Sequence, residues 1–187
     1  RFNYDFDSRY FFQFTLRRDG LGSLPEENRY GNFFGGSLGW RISEEKWWKQ
    51  TGLNRFIDEL KLRGSYAEVG NAPGDRFPYL STYGAAPYGG VSGNAANVLG
   101  NALILWETAK KINYGFDMAF WKNRVNLSVD IFKNKNDNLL FDVPQPPSLG
   151  IPNNRITKNI GEMENKGVEI ELGVLLVNNK SFTWRTD

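Results

Sequence analysis

Acid–base chemistry in this chain would fall to carboxylates, because histidine and cysteine are both missing. That removes Ser-His-Asp triads, Cys-His dyads and nearly every zinc site. Glu162, Glu169 and Glu171 come nearest to the carboxylate pair of a glycoside hydrolase. Glu169 and Glu171 share one face of an alternating stretch, about 6–7 Å apart at ~3.3 Å per strand residue. Any Glu-x-Glu on a strand gives that spacing, so a solvated pair is the plainer reading, and the chain is taken as non-enzymatic and free of cofactor or metal. Arg17, Arg18, Lys61, Arg63, Lys110 and Lys111 are interleaved with acids rather than gathered into a patch. With 23 basic against 21 acidic residues and a net charge of +2, nothing argues for nucleic acid. No glycine-rich phosphate loop, nucleotide fingerprint or EF-hand pattern is present.

Binding chemistry is better represented than catalysis. Residues 71–104 are rich in Gly, Pro, Ala, Asn and Tyr and show no period. Loops beyond ~12–15 residues are uncommon in compact domains and are often functional. Tyr79, Tyr83, Tyr88 and Asn94 in this segment, with Trp106 just after it, are the candidate substrate-contacting residues. Tyrosine and asparagine stack on and hydrogen-bond to sugars or peptide backbones. A lid or partner-contact loop without ligand contact is the equal alternative.

The elements that would position this loop are strands. From Ile112 to Phe120 every second residue is large and apolar, and Val125, Leu127, Val129 and Ile131 resume the alternation. Period two marks a strand with one greasy and one wet face. A two-residue turn at Lys122-Asn123 would set Phe120 opposite Val125, Met118 opposite Leu127 and Phe116 opposite Val129. Ala119 would then face Asn126 and Asp117 would face Ser128, as a hairpin register requires. Similar alternation covers Phe2 to Phe6, Tyr10 to Leu16, Phe34 to Ile42, Leu60 to Tyr66 and Val168 to Leu176, giving about eight strands. Residues 44–59 are the one helical patch, expected as short turns packed at a rim.

The connections alternate in length. Those at Asp7-Ser8-Arg9, Lys122-Asn123 and Asn178-Asn179-Lys180 are short, and those around residues 19–31, 71–104 and 142–155 are long. Glycines 31, 39, 64 and 167 are expected to accept bulges or bends. Trp40, Trp47, Trp48, Trp106 and Trp121 fall near strand ends, where indoles suit a lipid–water boundary. No stretch approaches the ~18 apolar residues of a membrane-crossing helix. The mean hydropathy of −0.51 is compatible with a membrane barrel, which is apolar only at alternate positions of its strands. Aromatic content of 15% and the loop asymmetry favour such a barrel over a soluble carbohydrate-binding β-sandwich or a secreted adhesin. The chain starts and stops within strand-like sequence, so it is expected to be a piece of a longer protein.

Several runs occur in a telling order: Leu16-Arg17-Arg18-Asp19-Gly20, Asn28-Arg29-Tyr30-Gly31, Ser37-Leu38-Gly39-Trp40-Arg41, Leu60-Lys61-Leu62-Arg63-Gly64-Ser65-Tyr66, Leu105-Trp106-Glu107-Thr108 and Asn165-Lys166-Gly167-Val168-Glu169. Together they resemble the C-terminal barrel portion of the SusC/RagA family of TonB-linked outer-membrane transporters of Bacteroidetes-type bacteria. The resemblance implies an all-β, antiparallel, up-and-down transmembrane barrel of about 22 strands, of which this chain would supply about eight. It implies import of glycans, oligosaccharides or peptides through the outer membrane, together with a SusD-like surface lipoprotein and with TonB. Residues 1–187 are expected to be barrel throughout, the plug domain and TonB box being absent from this chain. The motifs do not reach the loop tyrosines, so no role is carried over to them.

Overall fold

A computed structural model describes residues 1–74, 77–179 and 181–186. In chain order the strands are β1 (Phe2–Phe6), β2 (Tyr10–Gly20), β3 (Tyr30–Arg41), β4 (Ile57–Asn71), β5 (Thr82–Ala85), β6 (Asn94–Val98), β7 (Glu107–Phe120), β8 (Val125–Pro144), β9 (Arg155–Asn179) and β10 (Phe182–Thr186). Eight of them form one open antiparallel sheet in the order β1-β2-β3-β4-β7-β8-β9-β10, and β5 pairs with β6 as a separate hairpin. The helical patch is a single turn, α1 (Lys46–Gln50), between two 3-10 turns at Ile42–Glu44 and Leu53–Arg55.

Registers expected from alternation are those observed. Phe120 faces Val125, Met118 faces Leu127, Phe116 faces Val129, and Asp117 faces Ser128. Pairing carries apolar residues across the sheet in unbroken rows. One row runs Tyr4, Phe12, Leu38, Gly64, Tyr114, Ile131, Val168, and the next runs Phe6, Tyr10, Trp40, Leu62, Phe116, Val129, Ile170. The opposite face of the same strands carries Arg63, Gly115, Asp130 and Glu169 in one row and Lys61, Asp117, Ser128 and Glu171 in another. This is the two-faced pattern of a barrel wall.

Among the described residues no second sheet covers the apolar face. Among the described residues only Leu24, Phe33, Ile42, Trp48, Leu60, Ile104 and Ala119 are buried hydrophobics, whereas Phe12, Leu38, Tyr114, Ile131 and Ile170 are 40%, 64%, 63%, 56% and 69% exposed. Leaving such side chains in water forfeits ~1.5–3 kcal/mol each. A soluble sandwich would close on them, so this sheet is built for an apolar solvent.

The apolar band on β7 runs from Ile112 to Phe120. That is about 27 Å along the strand at ~3.4 Å per residue, or ~20 Å of height at a tilt of ~40°. Above it the same face turns charged, with ion pairs Lys110–Asp137, Lys135–Asp137, Lys135–Glu162 and Lys133–Glu164 at 2.9, 3.0, 3.2 and 2.9 Å. Strands of 20 and 25 residues in β8 and β9 therefore outrun the band by several turns of the pleat.

Some expectations need correction. The hairpin turn spans residues 121–124, with Trp121, Lys122 and Asn123 all at positive φ (52°, 60°, 59°), and the Arg124 amide donates to Phe120 O. Segment 71–104 is not structureless, because it contains the β5–β6 hairpin. Glycines 31, 39, 64 and 167 lie in regular ladders without positive φ. They make room for rings: a Cβ on each would meet Phe33, Phe11, Tyr114 and Phe132 at 2.5, 3.3, 3.3 and 2.8 Å. Trp48 is buried against Ile42 and Leu60 rather than at a boundary. Trp40, Trp47 and Trp121 do lie exposed at the short-turn end. Lys180 of the expected last turn lies outside the described residues.

Candidate functional site

The polar face holds a charge cluster spanning three strands. Arg63 of β4 donates to Asp117 of β7 at 3.1 Å and to Ser128 of β8 at 2.9 Å, and it also pairs with Asp130. Gly115 sits in the row between Arg63 and Asp130, and a Cβ there would stand 2.6 Å from Asp130 Oδ1 and 3.2 Å from Arg63 Cζ. Glycine is what lets the guanidinium reach across β7. Glu169 and Glu171 continue the rows beside Asp130 and Ser128, so they belong to this solvated wall.

A different arrangement forms at the long-loop end. β7 stops at Glu107, while β8 and β9 continue as an arm. Leu140 N donates to Glu107 Oε1 (2.9 Å) and Asn71 Nδ2 to Glu107 Oε2 (2.8 Å). Asn138 adopts φ 59° where the β8–β9 register shifts. Asn159 accepts from Leu105 N (2.9 Å) and donates to Leu105 O (3.1 Å) and Asn138 O (2.7 Å). Asn101 Nδ2 adds a bond to Thr157 O at 2.9 Å. The end of the long loop is thereby laid along the arm. Between them lies a polar cleft of about 550 Å³, walled by Asn97 and Leu99 on the loop side and by Asp142, Asn153, Arg155 and Thr157 on the arm. A second hollow of about 340 Å³ adjoins it, with Phe141, Asp142 and Thr157 in its wall.

The candidate residues named from sequence are partly gathered. Tyr83 on β5 and Asn94 on β6 share the hairpin, and Tyr88 stands at its tip, 90% exposed, bridged to Val91. Tyr79 precedes the hairpin, its ring 6.3 Å from that of Phe77. Trp106 is set at the loop's base, edge-on to Phe33 at 5.5 Å. The arm residues Asp142, Asn153, Arg155 and Thr157 went unnoticed. The β8–β9 register puts Asp142 beside Thr157, and that register depends on shifts at Asn136 and Leu139 that no local pattern announces. Among the described residues no group of three or more His, Cys, Asp or Glu is placed to hold a metal ion.

Comparison with known proteins agrees with this geometry. The family model described as "TonB dependent receptor-like, beta-barrel" matches residues 1–187. The chain is 40% identical over its whole length to TonB-dependent receptor P39 of Formosa agariphila, covering 18% of that protein. It is 33% identical to TonB-dependent receptor SusC of Bacteroides thetaiotaomicron, with 98% of the chain and 19% of SusC aligned. Against the solved RagAB peptide transporter the TM-score is 0.82 at 25% identity, over 97% of this chain and 20% of the other. The siderophore receptor PirA of Pseudomonas aeruginosa shares the fold alone, at a TM-score of 0.58 and 15% identity over 98% of this chain and 31% of the receptor. The chain thus spans about a fifth of the length of the curated relatives it matches. With long loops outside and short turns inside, the rule for such barrels, the cleft faces the cell exterior. The chain belongs to the TonB-dependent receptor β-barrel family, in its SusC/RagA branch, as a stretch of barrel wall in the bacterial outer membrane.

Proposed function

We propose that the whole protein imports oligosaccharides or peptides across the outer membrane, energised through TonB and working with a SusD-like surface lipoprotein. Residues 1–187 would then be barrel wall, with the plug and the TonB-contacting segment elsewhere in the protein. The observation that carries this reading is the polar cleft formed where the β8–β9 arm rises above the apolar band and meets the long loop. A pore wall needs no such arm, whereas capture of a hydrogen-bonding solute from outside does. Residues 77–106 support it, since they contain no charged residue and are rich in Gly, Ala, Tyr and Asn. That is the composition of adaptable recognition surfaces, in which tyrosine gives rigid contact area and the small polar residues give hydrogen bonds. Tyr79, Tyr83, Tyr88 and Asn94 would contact the solute or the lipoprotein, and Trp106 would hold the loop base.

The test is purification of the native protein in detergent together with uptake by cells. The expected result is a species several times larger than the 21.4 kDa of this chain, bearing a surface lipoprotein and supporting TonB-dependent uptake. Removing residues 79–100 from the full-length protein should abolish uptake and leave a heat-resistant folded barrel. A lone protein without a lipoprotein, or uptake indifferent to that deletion, refutes the reading.

A further inference from the structure

We propose that the cleft between β6 and the β8–β9 arm recognises a carboxylate on the imported solute, with Arg155 as the recognition residue; this deepens the importer reading and rests on it. Arg155 opens β9 directly opposite Pro144, exposed, and its guanidinium has no carboxylate partner among the described residues. Arg9, Arg17, Arg41, Arg63, Lys110, Lys133 and Lys135 each hold an ion pair, whereas Arg155, like Arg18, Arg29 and Arg55, holds none among the described residues; what sets Arg155 apart is its place in the cleft wall. The acid that shares the cleft, Asp142, is turned to Thr157, whose Oγ1 donates to Asp142 Oδ1 at 2.8 Å. Among the described residues the loop side contributes no charge, and Arg155 is the one cation in the cleft wall.

The surroundings suit an organic acid rather than an inorganic anion. Asn97 and Asn153 offer amide donors and acceptors for hydroxyl or peptide groups, and Leu99 and Pro152 offer an apolar surface for a carbon skeleton. Arginine presents a planar fork that matches a carboxylate with two parallel hydrogen bonds. The arm is also stiff. Pro144, Pro146, Pro147 and Pro152 restrict it, Asn153 and Asn154 sit at φ 54° and 49°, and Gln145 N donates to Asn154 O at 2.7 Å. A site held in place before binding loses little entropy when it is filled. The carboxylate could belong to a uronic acid in an oligosaccharide or to the free C-terminus of a peptide.

Calorimetry on the full-length protein in detergent distinguishes these sources with four probes: trigalacturonate, neutral maltotriose, a short Ala-Ser peptide, and the same peptide amidated at its C-terminus. In one of the two series the carboxylate member should bind ~10–100-fold more tightly than its neutral counterpart, the range of a charge-assisted hydrogen bond. R155Q should erase that preference, and R155K should restore part of it, because ammonium keeps the charge without the fork. Heat-resistant migration of both variants checks that the barrel still folds. No binding by any probe, no preference in either series, or a preference that survives R155Q overturns the proposal. Binding is read on purified protein and uptake on cells. Absence of TonB-dependent uptake would therefore remove the importer reading while an Arg155-dependent preference kept the carboxylate site.

Discussion

Placing arginine at neighbouring positions of β9 in the full-length protein tests the assignment of the two faces. Ile170 lies in the row of Phe116 and Val129, midway along the apolar band, and is 69% exposed. An arginine on the lipid face costs ~2–4 kcal/mol at the bilayer midplane and ~0–1 near the interfaces. Ile170→Arg should therefore lower the folding equilibrium constant by about 30- to 1,000-fold. Val174 lies in the row of Phe120 and Val125, next to the short turn. It is four residues from Ile170, which is ~10 Å of depth on a tilted strand, so Val174→Arg should cost only ~0–1 kcal/mol. Glu169 is one residue away on the other face, opposite Asp130. Glu169→Arg would place a cation beside that carboxylate in the wet lumen and should be near neutral. Urea titration of protein refolded into phosphatidylcholine vesicles, read by tryptophan fluorescence and by heat-resistant gel migration, gives the three values. Equal costs at 169 and 170, or a larger cost at 174 than at 170, would mean that the apolar rows do not face lipid.

Three further outcomes are expected. Trp48→Ala should destabilise by ~3–5 kcal/mol in the same titration, because Trp48 is 7% exposed and packs on Ile42 and Leu60; Trp47, 50% exposed, should cost far less. Glu45 accepts from Tyr10 Oη, from Trp40 Nε1 and from Arg9, and these bonds, the Tyr10 one foremost, hold its carboxyl below the usual carboxylate range. Its folded pKa is thus below its unfolded one, so the stabilisation is present at neutral pH and lost as pH falls through the folded value. Glu45→Gln should lower the urea midpoint at pH 7, and the difference should vanish under acid conditions; a difference that persists there counts against this account. Gly115→Ala should cost ~1–3 kcal/mol, since the added Cβ lands 2.9 Å from Val129 O and 2.6 Å from Asp130 Oδ1. Its effect should be non-additive with Asp130→Ser in a double-mutant cycle, and simple additivity would mean that the glycine does not serve the ion pair.

The parts of this molecule that were legible in sequence are those governed by one-residue steps. A one-residue slip would mix the two faces of β7 and β8, and of the registers that keep them apart, the one closed by the short turn after Phe120, with Phe116, Met118 and Phe120 opposite Val129, Leu127 and Val125, is the one adopted. Where the control passes to backbone irregularity the sequence becomes silent. Asn138 at φ 59° and the shifts at Asn136 and Leu139 re-aim the upper arm, and only after them do Asp142, Thr157 and Arg155 share a wall with Asn97. Asparagine tolerates that conformation but does not announce it, because most asparagines occupy ordinary φ. The long loop is obscure for a related reason. Its β5–β6 hairpin alternates too briefly to stand out, and it leans on Asn101 and Asn159, which bond to backbone 56 and 54 residues away, respectively. The same physics separates the two roles of the chain. A wall facing lipid must repeat, since every outward side chain meets the same solvent, and repetition is readable. A surface that distinguishes one solute from another gains by departing from repeat, and the recognition proposed for this chain falls where pattern ends: at the bulged arm and the charge-free loop, with Arg155 in the cleft wall between them.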